Sequence, residues 1–357
     1  MNQFKTNIDY NNEIDKFKNS IIYFDWNILT QLTDFNSNST NKIKAFKIIL
    51  ENYIDFEHSC FVFSDAHYRD ILLGDEQQKY KTKIQTLNFI SKGWKIINSP
   101  HNINQLMLGK LENIEEDFNI YKNNCAFSKT PLALPNETVD NFLTFASQNK
   151  NFSSETFNYI KTTLENEDFP AGVTIMRVNK ALRNSKLLKN SKIQYPHLDK
   201  SILDKPVNLE EEINKAIEKS HFDMTIINSS WNLFSQISKD FISEFEVEIA
   251  RLSFLCEFLG LTSEKMEKPT SFDGMINDIK HLNYALRLPF FISEDKRLLT
   301  KAKFIAKYYN RQTHIMDIND FCKEVLSQAY KTGENANKKI TVNIQENNSL
   351  LETLTLS

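Results

Sequence analysis

Short runs of apolar residues recur along the chain, and each of them ends at an acidic residue. The runs begin at Ile21, Cys60, Pro289 and His314 and lead into Asp25, Asp65, Glu294–Asp295 and Asp317. Runs that are apolar at nearly every position, without alternation, are typical of parallel strands covered on both faces. Such sheets bind ligands at the carboxyl ends of their strands. A row of carboxylates at that edge commonly holds a hard divalent cation.

Helical periodicity between these runs predicts an alternating α/β fold. The first hundred residues read β-α-β-α-β, and the alternation resumes near residue 271. Strands are predicted at 21–24, 60–63, 94–97, 290–293 and 313–316. Helices are predicted at 42–56, 76–91, 272–286 and 296–309, with a further helix that begins at Ser64 or Asp65 and a last one that ends near 330. The sequence thus predicts a core of residues 1–100 and 266–330, a helical insertion of 101–265 and a polar tail of 331–357.

Composition argues against several classes of site. The chain has 357 residues, 41% hydrophobic and 25% charged, which is ordinary for a globular protein. Its seven glycines are too widely spaced for a P-loop or a GxGxxG loop. Its four cysteines are far apart, so no zinc knuckle or disulfide framework is expected. No apolar run is long enough for a membrane helix and the N-terminus is polar, so a cytoplasmic protein is expected.

Acids and bases are segregated along the chain, although the net charge is only −3. The stretches 77–111, 169–198 and 296–316 contain no acid and six bases each. The third stretch begins directly after Asp295 with Lys296 and Arg297. Basic patches of this kind bind phosphate backbones. Each stretch could equally be a solvated helix face.

Four acids stand at positions where strands end or helices begin. Asp25 follows the first strand and Asp70 lies in the helix after the second strand, while Asp278 is in the helix before the fourth strand and Asp295 follows that strand. Each alone is more often a turn residue or a helix cap. Their joint placement, at the ends of strands that should be neighbours, is what indicates a site.

Polar neighbours accompany these acids. Asn27 can cap the turn after Asp25 or position a water, and Ser293 can cap a helix and hydrogen-bond a phosphate. His67 and His281 each lie one helical turn from a candidate acid, on the same face. These histidines could contact the carboxylates or a phosphate, or simply pack between helices. A histidine-rich transition-metal site is not expected, because oxygen ligands dominate.

The order and spacing of these motifs resemble a PIN-like nuclease domain. The family's Asp-x-Asn motif is matched by Asp25–Leu29, its second acid by Asp70 and its third by Asp278. Its closing Ser/Thr-x-Asp is matched by Ser293–Asp295, and some larger members also have a Ser-x-x-His-x-x-acid stretch like that of 64–70. The resemblance covers somewhat under half of the chain. The second acid is commonly Glu, Asp65 is a rival for it, and residues 101–265 have no counterpart in small members.

The resemblance implies a three-layer α/β/α fold whose central parallel sheet has the order 3-2-1-4-5. It implies a Mg²⁺- or Mn²⁺-dependent phosphodiesterase in which Asp25, Asp278 and Asp295 hold metal and Asp70 completes the shell or orients water. Asn27, His67, His281, Ser293, Lys296 and Arg297 are expected to contact the substrate. Single-stranded RNA is favoured over DNA as the substrate, and the class suggests a role in bacterial stress or defence. Self-association and a protein regulator remain open.

Two alternatives remain. The first is a catalytically inactive PIN-like domain that binds nucleic acid or acts in assembly, with the helical insertion and tail as its functional surfaces. The second is a phosphatase of the haloacid dehalogenase type. That enzyme would need Asp-x-Asp after the first strand, where this chain has Asn27, and a later Gly-Asp-x-x-x-Asp, which this sequence lacks.

Overall fold

The structure is a computed structural model of the single chain. It describes residues 8–9, 20–36, 38–52, 54, 59–74, 77–99, 105–124, 140, 143–144, 147, 153–165, 177–178, 183, 196–220, 243–262 and 271–331. The chain divides into two compact units. The first comprises Met1–Cys125, Tyr284–Leu299 and Gln312–Ser357, and the second comprises Ala126–Asn283 and Thr300–Arg311.

Strands and helices alternate over most of the described residues of the first unit. The strands are β1 (Ile8–Asp9), β2 (Ile21–Phe24), β3 (Cys60–Val62), β4 (Trp94–Asn98), β5 (Leu106–Leu111), β6 (Phe290–Ile292) and β7 (His314–Met316). The helices given for the described residues are α1 (Trp26–Thr33), α2 (Asn41–Asn52), α3 (Asp65–Leu73), α4 (Tyr80–Ser91), α5 (Ile114–Asn124), α6 (Ser154–Leu164), α7 (Leu209–Ser220), α8 (Glu244–Phe258), α9 (Ser271–Ala285), α10 (Lys296–Tyr308) and α11 (Ile318–Lys331). The described residues also form 3₁₀ helices at Gln77–Lys79 and Lys200–Asp204.

A four-stranded parallel sheet forms the centre of the first unit, in the order β3-β2-β6-β7. Tyr23 of β2 pairs with Val62 on one side and with Phe291 on the other. All four residues of β2 are buried, which explains the unbroken apolar run. The mixed α/β class and the parallel pairing of these four strands are therefore confirmed.

The predicted five-strand order 3-2-1-4-5 is wrong, because β4 belongs to another sheet. β4 pairs antiparallel with β5, and β5 pairs antiparallel with β1, giving the order β1-β5-β4. Only an isolated parallel bridge, Phe63 with Lys95, joins β4 to the end of β3 in the described chain. The prediction of helix from residue 101 onward is corrected by β5 as well.

The turn before β4 explains this pairing. Gly93 has a φ of +89°, a backbone conformation that residues with a side chain rarely adopt. Leu111 donates its N–H to the Gly93 carbonyl at 2.9 Å. A Cβ at Gly93 would lie 2.6 Å from the Leu111 carbonyl oxygen. Glycine is therefore needed for β5 to approach β4 this closely.

A hydrophobic core packs around the parallel sheet. It joins buried side chains of β2 and β3 to α1, α2, α4, α5 and α11. Phe321 of α11 makes edge contacts with Phe46 and Phe61, with ring centroids 5.8 and 6.0 Å apart. Such aromatic pairs add to the free energy gained from burying their area. The core fixes the strands whose carboxyl ends carry the predicted acids.

The second unit is helical in its described residues and contains a buried ionic cluster. Lys301 and Glu257 are each 1% exposed, and the Lys301 ammonium lies 3.4 Å from a Glu257 carboxylate oxygen. Arg183 lies 3.9 Å from the other Glu257 oxygen and donates to the Thr262 carbonyl. Removing one partner would leave a buried charge uncompensated, so this cluster is structurally important.

Several predictions lie outside the described residues. These include the polar tail of 331–357 beyond Lys331, most of the basic stretch 169–198, and the end of the helix predicted at 42–56. Within the described residues, no helix is both long enough and apolar enough to cross a membrane.

Candidate active site

Asp25 lies at the carboxyl end of β2, where it is 4% exposed. Its Oδ1 accepts the N–H of Trp26 at 2.7 Å and so caps α1, a short helix that the sequence prediction missed. Its own N–H donates to the carbonyl of Ile292, the last residue of β6. Asp25 is thus held at the junction between two central strands.

Ser293 connects Asp25 to Asp295. The fully buried Ser293 hydroxyl donates to Asp25 Oδ2 at 2.8 Å and accepts the N–H of Asp295 at 3.0 Å. Asp295 Oδ1 in turn accepts the N–H groups of Arg297 and Leu298 and caps α10. The Ser-x-Asp sequence thus supplies the Asp295 carboxylate itself and holds the Asp25 carboxylate through the Ser293 hydroxyl. Asp295 rather than Ser293 therefore caps α10, the Ser293 hydroxyl bonds within the site, and its contact with a phosphate stays a prediction.

Asn27 fastens α1 to the same loop. Its Oδ1 accepts the N–H of Glu294 at 3.1 Å, and its Nδ2 donates to the Ser293 hydroxyl at 3.4 Å. Both ends of the amide therefore hold the segment after β6. Glu294 extends this fastening, since it pairs with Lys42 of α2 and accepts the N–H of Ile318 at 3.0 Å. The sequence prediction placed Asn27 near the substrate, and the geometry gives it this additional structural task.

Tyr23 is a buried residue whose pKa is affected by both Asp25 and Asp70. Its ring is fully buried, and its hydroxyl lies 2.7 Å from the Ser64 hydroxyl. Burial holds the Tyr23 pKa well above its usual value, and the charges of Asp25 and Asp70 are among the smaller causes that raise it further. Both carboxylates therefore lie within electrostatic range of one phenol. No signal in the sequence had marked Tyr23, because it reads as one more apolar strand residue.

His67 is fully buried between β2 and α3. Its Nδ1 accepts the N–H of Ser64 at 3.1 Å, and its Nε2 lies 2.8 Å from the carbonyl oxygen of Phe24. A ring that accepts at Nδ1 must carry its proton at Nε2, so the imidazole is neutral and donates to Phe24. These bonds favour the packing alternative for His67 over contact with a phosphate.

Asp65, the alternative match for the family's second acid, forms an ion pair with Lys95. Its Oδ1 and Asp117 Oδ2 each lie 2.7 Å from the Lys95 ammonium. Burial alone would lower the Lys95 pKa, but the two carboxylates outweigh it and raise that pKa above its usual value. This ion cluster ties α3 to β4 and α5. Asp70, partly buried and one helical turn past His67, is the better match to the expected second acid.

Asp278 and His281 lie on α9 in residues that belong to the second unit. Asp278 is partly buried, and His281 is 1% exposed. They share one face of that helix, as their spacing predicted. Their roles as metal ligand and substrate contact stay predictions.

The basic stretch after Asp295 divides into two kinds of residue. Lys301 is buried against Glu257, and Lys307 donates to backbone carbonyls of the Lys200–Asp204 turn, including that of Ile202 at 2.7 Å. Lys296 is exposed, and Arg297 is 41% exposed and lies 3.4 Å from Asp295. The start of the stretch therefore combines exposure with closeness to the candidate acid Asp295.

The donors at this edge fit a hard divalent cation in their chemistry, since Asp25 and Asp295 offer only carboxylate oxygens. Over the described part of the chain, no three His, Cys, Asp or Glu side chains form a group able to hold a metal ion. Comparisons with known proteins add no relative: no family model, curated protein or solved structure matches the chain.

Proposed function

We propose that this protein is a metal-dependent nuclease of the PIN-like type that hydrolyses phosphodiester bonds in nucleic acid. The observation that carries the proposal is the Asp25–Ser293–Asp295 arrangement, in which the Ser293 hydroxyl donates to the Asp25 carboxylate and accepts the backbone N–H of Asp295 at the ends of two adjacent parallel strands. Open α/β sheets bind their ligands at that edge. Asp70 lies on α3, and the hydroxyl of the α3 cap Ser64 is 2.7 Å from that of Tyr23 on β2, which supports it further.

The chain's own residues have distinct tasks in this proposal. Asp25 and Asp295 would hold one or two Mg²⁺ or Mn²⁺ ions and Asp70 would orient the attacking water, while the role of Asp278 as a further ligand stays a prediction from the sequence. Lys296 and Arg297 bind substrate phosphates at the exposed start of α10. When bound, the cation would act as a Lewis acid on the phosphoryl oxygen and stabilise the charge that develops there. Asn27 and Ser293 keep the carboxylates in place.

Single-stranded RNA is the substrate that we favour, with DNA second. This preference follows from the family that the motifs resemble. The second candidate function, a catalytically inactive binding or assembly module, has one observation in its favour. Asn27 and Ser293, both expected near substrate, are engaged in hydrogen bonds within the protein. In that reading, the hydrogen-bonded network is only a stable junction between β2, β6 and α10.

The test is a cleavage assay on labelled single-stranded RNA, single-stranded DNA and duplex DNA with Mn²⁺ or Mg²⁺. Wild type is compared with Asp25→Asn and Asp295→Asn, and Asp317→Asn at the end of β7 is the matched control. We expect wild type and the control to cut at least one substrate, excess EDTA to abolish cutting, and each site variant to lose at least about a hundredfold in rate.

Three results would contradict the proposal. Undiminished cutting in EDTA would exclude the metal mechanism. Cutting retained in both site variants would remove Asp25 and Asp295 from the active site. A wild type that binds a substrate but cuts none of them would favour the binding module.

A further inference from the structure

At their carboxyl ends, β2 and β3 are connected by a side chain in place of a backbone hydrogen bond. Cys60 donates its N–H to the Ser20 carbonyl at 3.0 Å, and the register of the two strands continues through Val62. Parallel ladders use every second residue, so the next hydrogen bonds would join Val62 to Ile22 and then Ser64 to Phe24. The bond from Ser64 to Phe24 is replaced. The His67 imidazole accepts the Ser64 N–H at 3.1 Å and lies 2.8 Å from the Phe24 oxygen.

The imidazole therefore stands where the last rung of the ladder would be. It satisfies the same donor and the same acceptor while holding them a ring's width further apart. The two strands are thus splayed at the edge that carries Asp25. Ser64 and His67 also form the capping box of α3, so the same ring sets the start of the helix that bears Asp70.

One peptide unit is clamped by this arrangement. The Phe24 carbonyl and the Asp25 N–H belong to the same planar peptide group. His67 holds its carbonyl from the α3 side, and Ile292 accepts its N–H at 3.0 Å from the β6 side. Because this peptide precedes the Asp25 Cα directly, its tilt determines where the carboxylate points.

We propose that His67 is a positioning residue, whose Nε2–H bond to Phe24 fixes the peptide carrying Asp25 and spaces Asp25 from Asp70. As a statement about catalysis this rests on the proposed nuclease function, whereas the clamping of the peptide does not. His67 touches neither substrate nor metal in this role. A purely structural histidine would be equally sensitive to losing either ring nitrogen's bond, and this distinction makes the proposal testable.

Two substitutions separate the two ring nitrogens. In His67→Asn the amide oxygen lies near the place of Nδ1 and can still accept from Ser64, but no donor reaches Phe24. In His67→Gln the longer amide can still donate to Phe24, while the acceptor for Ser64 is weakened. His314→Asn, at an exposed histidine of β7, is the matched control.

Hydrogen–deuterium exchange of the full chain is the primary measurement. We expect His67→Asn to speed exchange of the Asp25 amide about fivefold, as loss of one hydrogen bond implies. His67→Gln should leave the Asp25 amide near wild type and speed exchange at Ser64 instead. Equal exchange at Asp25 in both variants and wild type would overturn the proposal, as would an equal rise in both variants. If His67→Asn unfolds the chain globally, His67→Gln decides alone. Faster exchange at Ser64 with near-wild-type exchange at Asp25 would then support the proposal, and faster exchange at Asp25 would overturn it.

Cleavage kinetics form a separate arm. His67→Asn should lower kcat about tenfold with little change in KM, because a misplaced Asp25 affects the chemical step rather than binding. His67→Gln should restore most of that loss, and equal loss in both variants would overturn the catalytic role. A wild type with no activity would defeat the proposed function, while the exchange result would still decide whether His67 clamps the Asp25 peptide.

Discussion

Asn27 is a residue that the site cannot exchange for its charged analogue, aspartate, without a loss of stability. Its Nδ2 donates to the Ser293 hydroxyl, which has already committed its single proton to Asp25. An oxygen in place of Nδ2 would face another acceptor with no hydrogen between them. The Asp-x-Asn pattern is therefore more than a motif match, because the amide supplies a donor that a carboxylate cannot.

This reasoning predicts that Asn27→Asp destabilises the metal-free protein more than Asn27→Ala. The alanine variant should lose about 1–3 kcal/mol in the free energy of unfolding, as two hydrogen bonds are removed. The aspartate variant should lose about 1 kcal/mol more, since it adds a like charge beside Asp25 and Asp295. Urea unfolding in EDTA measures both. An aspartate variant as stable as the alanine variant would show that the amide does not act as a donor here.

Among the elements, those with strong periodicity could be predicted from sequence and those set by distant partners could not. The end of β2 at Phe24 followed from an unbroken apolar run, and α3 followed from Ser64 as a cap. β5 escaped prediction, because Leu106–Leu111 becomes a strand only through long-range pairing with β4 and β1. Its Gly109 and Lys110 weaken the local strand signal.

At the site, residue types could be predicted and hydrogen-bond partners could not. The acids at the strand ends are visible in the sequence because the side-chain pattern marks where each strand stops. Nothing in the sequence shows that Lys301 is buried against Glu257 or that Lys95 joins Asp65 to Asp117. Those pairings depend on which helices meet, so the basic stretches could not be divided into structural and exposed lysines beforehand.

For the whole molecule, the buried titratable groups bear on stability at alkaline pH. Burial raises the pKa values of Cys256 and Cys322 to about 12, and it raises those of Tyr23 and Tyr68 well above 10.0. The Lys95 pKa is raised by Asp65 and Asp117 despite burial. In each case the folded chain keeps a proton that the unfolded chain releases. Stability is therefore complete below the unfolded pKa and is lost as the pH rises toward the folded one.

We therefore predict that the thermal midpoint falls progressively above about pH 9, first through the thiols and then through Tyr23, Tyr68 and Lys95. Each group adds at most about 1.4 kcal/mol per pH unit to the slope. Calorimetry under reducing conditions from pH 7 to 10.5 measures the fall. Cys322→Ala should flatten its early part, and a midpoint constant over this range would contradict the account.

The central claim is that Asp25 and Asp295 hold a divalent cation at the carboxyl edge of the parallel sheet. Isothermal titration of Mn²⁺ into the full chain tests it without any choice of nucleic acid. We predict saturable binding by wild type, weakened at least about tenfold in both Asp25→Asn and Asp295→Asn. Asp317→Asn should bind like wild type, because Asp317 follows β7 and accepts the N–H of Asp320. Unchanged Mn²⁺ binding in both site variants, or equal loss in the control, would contradict the claim.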